Sequence, residues 1–330
     1  MRTILTFSII ILPLCIGCPN TAVKEKPKAE VIVEPTEMFE NEGPEPYVEP
    51  MYPQKDGESE DTTLQSAMSA MFPAFSGVLG KYASEIVPLP PLDDLTAQID
   101  DYITKIGISL DDLDGSPKYA EDAGGLVRDA NALALVALAI GLAEADSKYK
   151  KRASQIISSA KILAAAKNLD DGQKAYTALK ASLTGRGDGK PLTRMDKIAD
   201  LAPAMKALPN LSSAVKRRTD TERKLNIELG GARAQQVYSQ LAALSVIAQG
   251  CVPNVTETTK PDAMAEWKKF CEEFRDAALK TNVAAHQYAK DKADDKEPNY
   301  AAFNTSFKTM MESCDSCHKV FYPSAVGKNE

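Results

Sequence analysis

Residues 300–321 read YAAFNTSFKTMMESCDSCHKVF. Tyr300, Phe303, Phe307, Met310, Cys314, Cys317 and Phe321 recur every three or four positions, which places them on one face of a helix that begins near Pro298-Asn299. Upstream, Met264, Trp267, Phe270, Cys271, Phe274 and Ala278 give the same period, opened by Pro261-Asp262 and closed by the charged run 291–296. Before it, Thr221-Glu222-Arg223 leads into an apolar stretch from Leu225 to Ala248 that ends at Gly250. A fourth stretch, Leu192 to Ala214, carries Ile198, Leu201, Met205 and Leu208, with Pro203 and Pro209 expected to kink it. Four helices on short connections imply an up-down-up-down four-helix bundle over residues 192–323, followed by a tail at 324–330.

The composition agrees. Of 330 residues 44% are hydrophobic, but only one is Trp and nine are Phe, a mix that favours packed helices over a β-sandwich. The fold class expected is all-α. The formal charge of −7 argues against a nucleic-acid partner. Most of that charge sits between Pro19 and Asp61, where 12 acidic residues face 4 basic ones among seven prolines. Such a segment buries too little apolar surface to offset its ordering entropy, so residues 19–61 read as a disordered, extended acidic stalk.

Within the first helix described, Cys314-Asp315-Ser316-Cys317-His318 is C-x-x-C-H, the attachment pattern of c-type haem. Each thiol adds across a haem vinyl group, and the adjacent histidine becomes the proximal iron ligand. One covalently attached haem c is the expected cofactor. At the other terminus, Met1-Arg2 and the apolar run Ile4–Leu12 form a short export signal, too short to span a bilayer. Leu14-Cys15-Ile16-Gly17-Cys18 resembles a bacterial lipoprotein signal, which implies cleavage after Gly17, lipid on Cys18 and anchoring to a membrane from the periplasmic side; an ordinary signal peptide is the alternative. With Cys15, Cys18, Cys314 and Cys317 assigned, Cys251 and Cys271 remain as an even pair in an oxidising compartment. They read as a disulfide, with two buried free thiols as the alternative.

A four-helix bundle with C-x-x-C-H on its last helix resembles cytochrome c prime. Arg194, Ile198 and Met205-Lys206-Ala207-Leu208 are similar to that family's first-helix pattern, Trp267 with Phe270 to its third-helix aromatic start, and Phe321 to its aromatic three residues after the ligand. Tyr322 stands where the family usually carries arginine. The resemblance covers residues 192–322. It implies a haem pocket of Ile198, Met205, Trp267 and Phe270, with Ile198 over an open, five-coordinate distal face. It also implies electron transfer or binding of a small gas, and a homodimer. Met195 and Met205 are the rival distal ligands. On helical rise His286 lies about 16 residues, ~24 Å, from the level of His318, so it reads as a satisfied or exposed histidine. No distal acid–base residue can be placed, and no enzymatic activity is expected.

Residues 62–188 read as a second, haem-free bundle. Met71-Phe72-Pro73-Ala74-Phe75 matches Leu201–Met205 at an offset of 130, and Thr177–Lys180 matches Thr305–Lys308 at 128. Leu133–Leu142 and Ile156–Ala166 supply two apolar helical stretches; the uncharged run Ala130–Ala143, at 14 residues too short for a membrane span, reads as a buried helix, and residues 86–118, with Pro88, Pro90 and Pro91, read as a connection. The pattern implies an internal duplication with haem in one copy only. Two functions follow. One is an exported haem protein with an unnamed redox partner or a gas ligand; the other is a lipid-anchored scaffold of a larger redox assembly, docked through the haem-free half.

Overall fold

The computed structural model describes residues 89–116, 118–187, 192, 197–219, 233–260 and 262–325. Every regular element among them is helical. In chain order these are α1 (Leu92–Asp112), a single turn α2 (Tyr119–Asp122), α3 (Gly124–Leu142), α4 (Ala153–Ala164), α5 (Leu169–Thr184), α6 (Leu201–Thr219), α7 (Ala234–Gly250), α8 (Met264–Ala293) and α9 (Tyr300–Phe321). Short 3-10 turns precede α4 and follow α7 and α9. The export signal, the stalk, Met71–Phe75, Arg194, Met195 and the Thr221–Leu225 lead lie outside the described residues, Cys18 with them.

Helix α1 corrects the reading of 86–118 as a connection. The three prolines all precede it, and Pro91 stands at its N-cap, where a missing N–H costs nothing. Asp93 and Asp94 complement the positive end of the helix, and Leu95, Ile99, Tyr102, Ile106 and Leu110 bury one stripe. Gly115, at φ 78, carries the chain out of the turn that follows. Helix α3 is buried on nearly all sides, as the uncharged run from Ala130 to Ala143 leads one to expect. It is long and apolar enough to cross a membrane, but most of its apolar window is packed inside the fold.

In the second half, α6 starts at Leu201 rather than Leu192 and runs to Thr219. Pro203 falls in its first turn, where no N–H partner is lost, and the helix continues through Pro209. Helix α7 is buried from Val237 to its end at Gly250, and α8 and α9 form a long hairpin.

Neighbours in sequence pack together: α1 on α3, α3 on α4, α4 on α5, then α6 on α7, α7 on α8, α8 on α9. The halves also meet. Helix α1 packs on α7, and α3 packs on both α6 and α7, so one continuous apolar core runs through residues of both. A buried polar knot pins this seam. The Asp94 carboxylate, 2% exposed, accepts from Gln235 Nε2 (2.9 Å), Asn282 Nδ2 (3.0 Å) and His286 Nε2 (2.8 Å). His286 stacks on Tyr238 with ring centroids 4.0 Å apart, so it is a satisfied histidine tied to α1.

Helix starts recur along the chain. Leu92, Gly124 and Ala153 stand 109, 110 and 111 residues before Leu201, Ala234 and Met264, and Leu169 stands 131 before Tyr300. Asn168 and Asn299 cap α5 and α9 alike, each accepting from the backbone N–H three residues on. At 131 the fully buried Leu179 faces the place of Met310, and Cys314, Cys317 and His318 correspond to Leu183, Arg186 and Gly187. The match of Thr177–Lys180 to Thr305–Lys308 is therefore three residues out of register, because it rested on mostly exposed positions whereas caps and core side chains set the helix.

Candidate functional site

The thiols of the C-x-x-C-H motif open into an apolar cleft. Asn299 starts α9, whose buried stripe of Phe303, Met310, Cys317 and Phe321 faces α8, with Cys314 half-buried beside it. The cleft spans about 340 Å³ with the open solvent at its mouth included, and the room it leaves for the centres of water-sized molecules is about 30 Å³. Met205 and Leu208 line it from α6, Ala248 from α7 with Cys251 just beyond, Trp267, Phe270, Cys271 and Phe274 from α8, and Ser313, Cys314 and Cys317 from α9.

Three of the four residues expected as walls of a haem pocket thus meet the two motif thiols. Met205, Trp267 and Phe270 line the same space as Cys314 and Cys317. Ile198 does not line it. That residue lies in the coil before α6, half-buried against the core, because the helix begins three residues later than its side chain would need to face the cleft. His318 follows Cys317 directly on α9 and is half-buried on the flank of the helix outside the cleft lining.

Aromatic packing sets the cleft's end wall. Trp267, 1% exposed, donates its indole N–H to the Cys251 carbonyl at 2.9 Å and meets Phe321 edge-on at 5.1 Å. Phe270 meets the same ring at 6.2 Å. Beyond them Glu257 accepts from the Leu201 backbone N–H, capping α6, and pairs with Lys197 and Asn254. Burial alone would raise its pKa, but these hydrogen bonds outweigh burial and hold the carboxyl below its ordinary value. Tyr322 donates to the Glu257 carbonyl at 3.2 Å.

Cys251 and Cys271 are free thiols in the structure; the disulfide expected from cysteine arithmetic is not formed. Both are buried and pack as small apolar side chains. Burial, helped by nearby thiols, pushes Cys251 up to about 12 and Cys271 well above its usual range. Burial likewise moves Cys317 to about 12 and Cys314 to about 11, so all four are protonated near neutral pH.

The donor set suits a covalently held, largely apolar cofactor. The walls are hydrocarbon and sulfur, two thiols stand three residues apart in the right order before a histidine, and the Ser313 hydroxyl is buried without a hydrogen-bond partner. Among the described residues no group of three or more His, Cys, Asp or Glu side chains is disposed to hold a bare metal ion. Sequence reasoning missed Ser313, Leu208 and Ala248 as lining residues. Periodicity had put Cys271 on the right face of α8, but the approach of the α7 end is a tertiary fact. Comparison with known proteins gives no match, whether to a family model, a curated protein or a solved structure.

Proposed function

We propose that this chain is an exported c-type haem protein that carries one haem on Cys314 and Cys317, with His318 as the proximal ligand. The observation that carries the reading is the convergence of both motif thiols with Met205, Trp267 and Phe270 on one apolar cleft. Bound there, the haem would supply one-electron transfer at iron and a coordination site for a small gas. Trp267, Phe270, Phe274 and Leu208 would exclude water from the ring, and Met205 is the thioether of α6 that faces it. The likeness to cytochrome c prime belongs to this proposal, and so do the lipid anchor at Cys18, the periplasmic location and the homodimer.

The same reading takes α1, α3, α4 and α5 as one four-helix bundle and α6 to α9 as a second, products of an internal duplication. The recurring helix starts and the paired Asn168 and Asn299 caps support it. The shared core and the Asp94 knot favour a second role, in which the haem-free half is a rigid docking platform for a partner of a redox assembly. Carbon monoxide added to the reduced, matured protein tests the site. A shifted absorption band is expected for iron open on its distal side; an unchanged spectrum would mean that Met205 or another side chain closes it.

A further inference from the structure

The cleft holds more sulfur than haem attachment uses. Four thiols, Cys251, Cys271, Cys314 and Cys317, line one narrow cleft. They come from the end of α7, the first turns of α8 and the last turns of α9, so their meeting is a product of the tertiary fold. As they stand they form no bare-metal site. Pairwise sulfur chemistry is what the arrangement leaves. Helices α1 to α5 carry no cysteine, so nothing elsewhere in the described residues competes with these four.

Thioether formation needs Cys314 and Cys317 as free thiols, because each S–H adds across a vinyl double bond. An oxidising compartment works against this, since a disulfide-donating oxidant there would join the two neighbours on α9. We propose that Cys251 and Cys271 are an internal dithiol reductant that takes over this disulfide and returns Cys314 and Cys317 to the thiol form for haem attachment. The proposal rests on the haem reading above. The exchange balances within the chain. The sulfur of Cys251 or Cys271, having lost its proton, attacks one sulfur of the Cys314–Cys317 bond and forms a mixed disulfide; the other motif sulfur leaves and takes up a proton. The second buried thiol then attacks the mixed disulfide, a Cys251–Cys271 bond forms, and the remaining motif sulfur leaves as a thiol. Two sulfurs are oxidised, two are reduced, and the only outside reagent is the disulfide donor that made the first bond.

One observation gives the exchange its direction. A Cys314–Cys317 bond would have to close inside α9, which runs as unbroken helix through both motif cysteines. Burial makes the two reductant thiols slow toward outside reagents, but within one cleft the effective concentration of sulfur on sulfur is high.

The test uses the full chain exported from cells without haem-attachment machinery, quenched with an alkylating agent and mapped by peptide mass spectrometry. Cys251 and Cys271 should be recovered linked, with Cys314 and Cys317 alkylated. In Cys251→Ser/Cys271→Ser the motif thiols should lose their alkylation and appear as a linked pair, and in cells that do attach haem the yield of covalent haem should fall several-fold. Should that double variant fail to fold, Cys251→Ala and Cys271→Ala carry the same expectation singly. A wild-type chain with Cys314 bonded to Cys317 and the other two alkylated would overturn the proposal, as would four free thiols after equilibration with oxidised glutathione, or variants with unchanged motif alkylation and haem yield. Covalent haem on wild-type protein together with any of these results leaves the haem reading standing and removes the relay alone; wild-type protein without covalent haem removes the haem reading itself.

Discussion

Cys251 stands at the C-cap of α7 with its carbonyl held by the Trp267 indole and its thiol 1% exposed as a residue. Burial raises that thiol from the ordinary 9.0 to about 12. Below pH 9 it is protonated in the folded and the unfolded chain alike, and its burial contributes full stability. Above pH 9 the unfolded thiol ionises while the folded one keeps its proton until about 12, so stability is lost as pH rises through that window. Thermal melts of the haem-free chain, kept fully reduced, between pH 8 and 11 should therefore fall with pH, and Cys251→Ala should fall less steeply. Parallel slopes would contradict the buried, protonated thiol. Tyr238, also raised to about 12, acts in the same direction in both proteins and cancels in the comparison.

At the scale of elements, the contact of α3 with α7 is set by small residues. A Cβ built on Gly250 would lie 2.5 Å from Leu135 Cδ2, and Leu135 is 1% exposed, so the leucine has little room to retreat. Gly250→Ala should destabilise by about 1–3 kcal/mol through overpacking. Adding Leu135→Val should restore part of the loss, since residues in contact are not additive. Denaturant midpoints of the single and double variants decide it, and a neutral Gly250→Ala would show that the helices do not meet as described. How much of this was legible follows from what each signal reports. Periodicity and caps located α8, α9 and most of α7 because a helix with one dry face writes that face into its own sequence. Helix α1 was overlooked because three prolines drew attention to a turn, although Leu95, Ile99, Tyr102, Ile106 and Leu110 carried the helical spacing just beyond them. The cleft walls on α8 and α9 were readable as stripes. The orphaned Ser313 hydroxyl and the Asp94 knot were not, because each depends on which helix lies alongside, and no local pattern records that.

For the molecule as a whole, helices of both halves share one apolar core, with Asp94 of α1 buried against α7 and α8. Separate bundles on a loose tether would melt separately; a shared core should melt once. Calorimetry of the haem-free chain is expected to show a single transition whose calorimetric and van't Hoff enthalpies agree, and two resolved transitions would contradict the coupling of the halves. The central claim, however, concerns the cleft that this scaffold builds beneath α9. Its most direct test is the mass and absorption of wild-type protein purified from cells able to mature c-type cytochromes. The account predicts one haem per chain that survives denaturation and stays with the peptide containing Cys314, Cys317 and His318. Protein of unmodified mass, colourless after denaturing extraction, would contradict it.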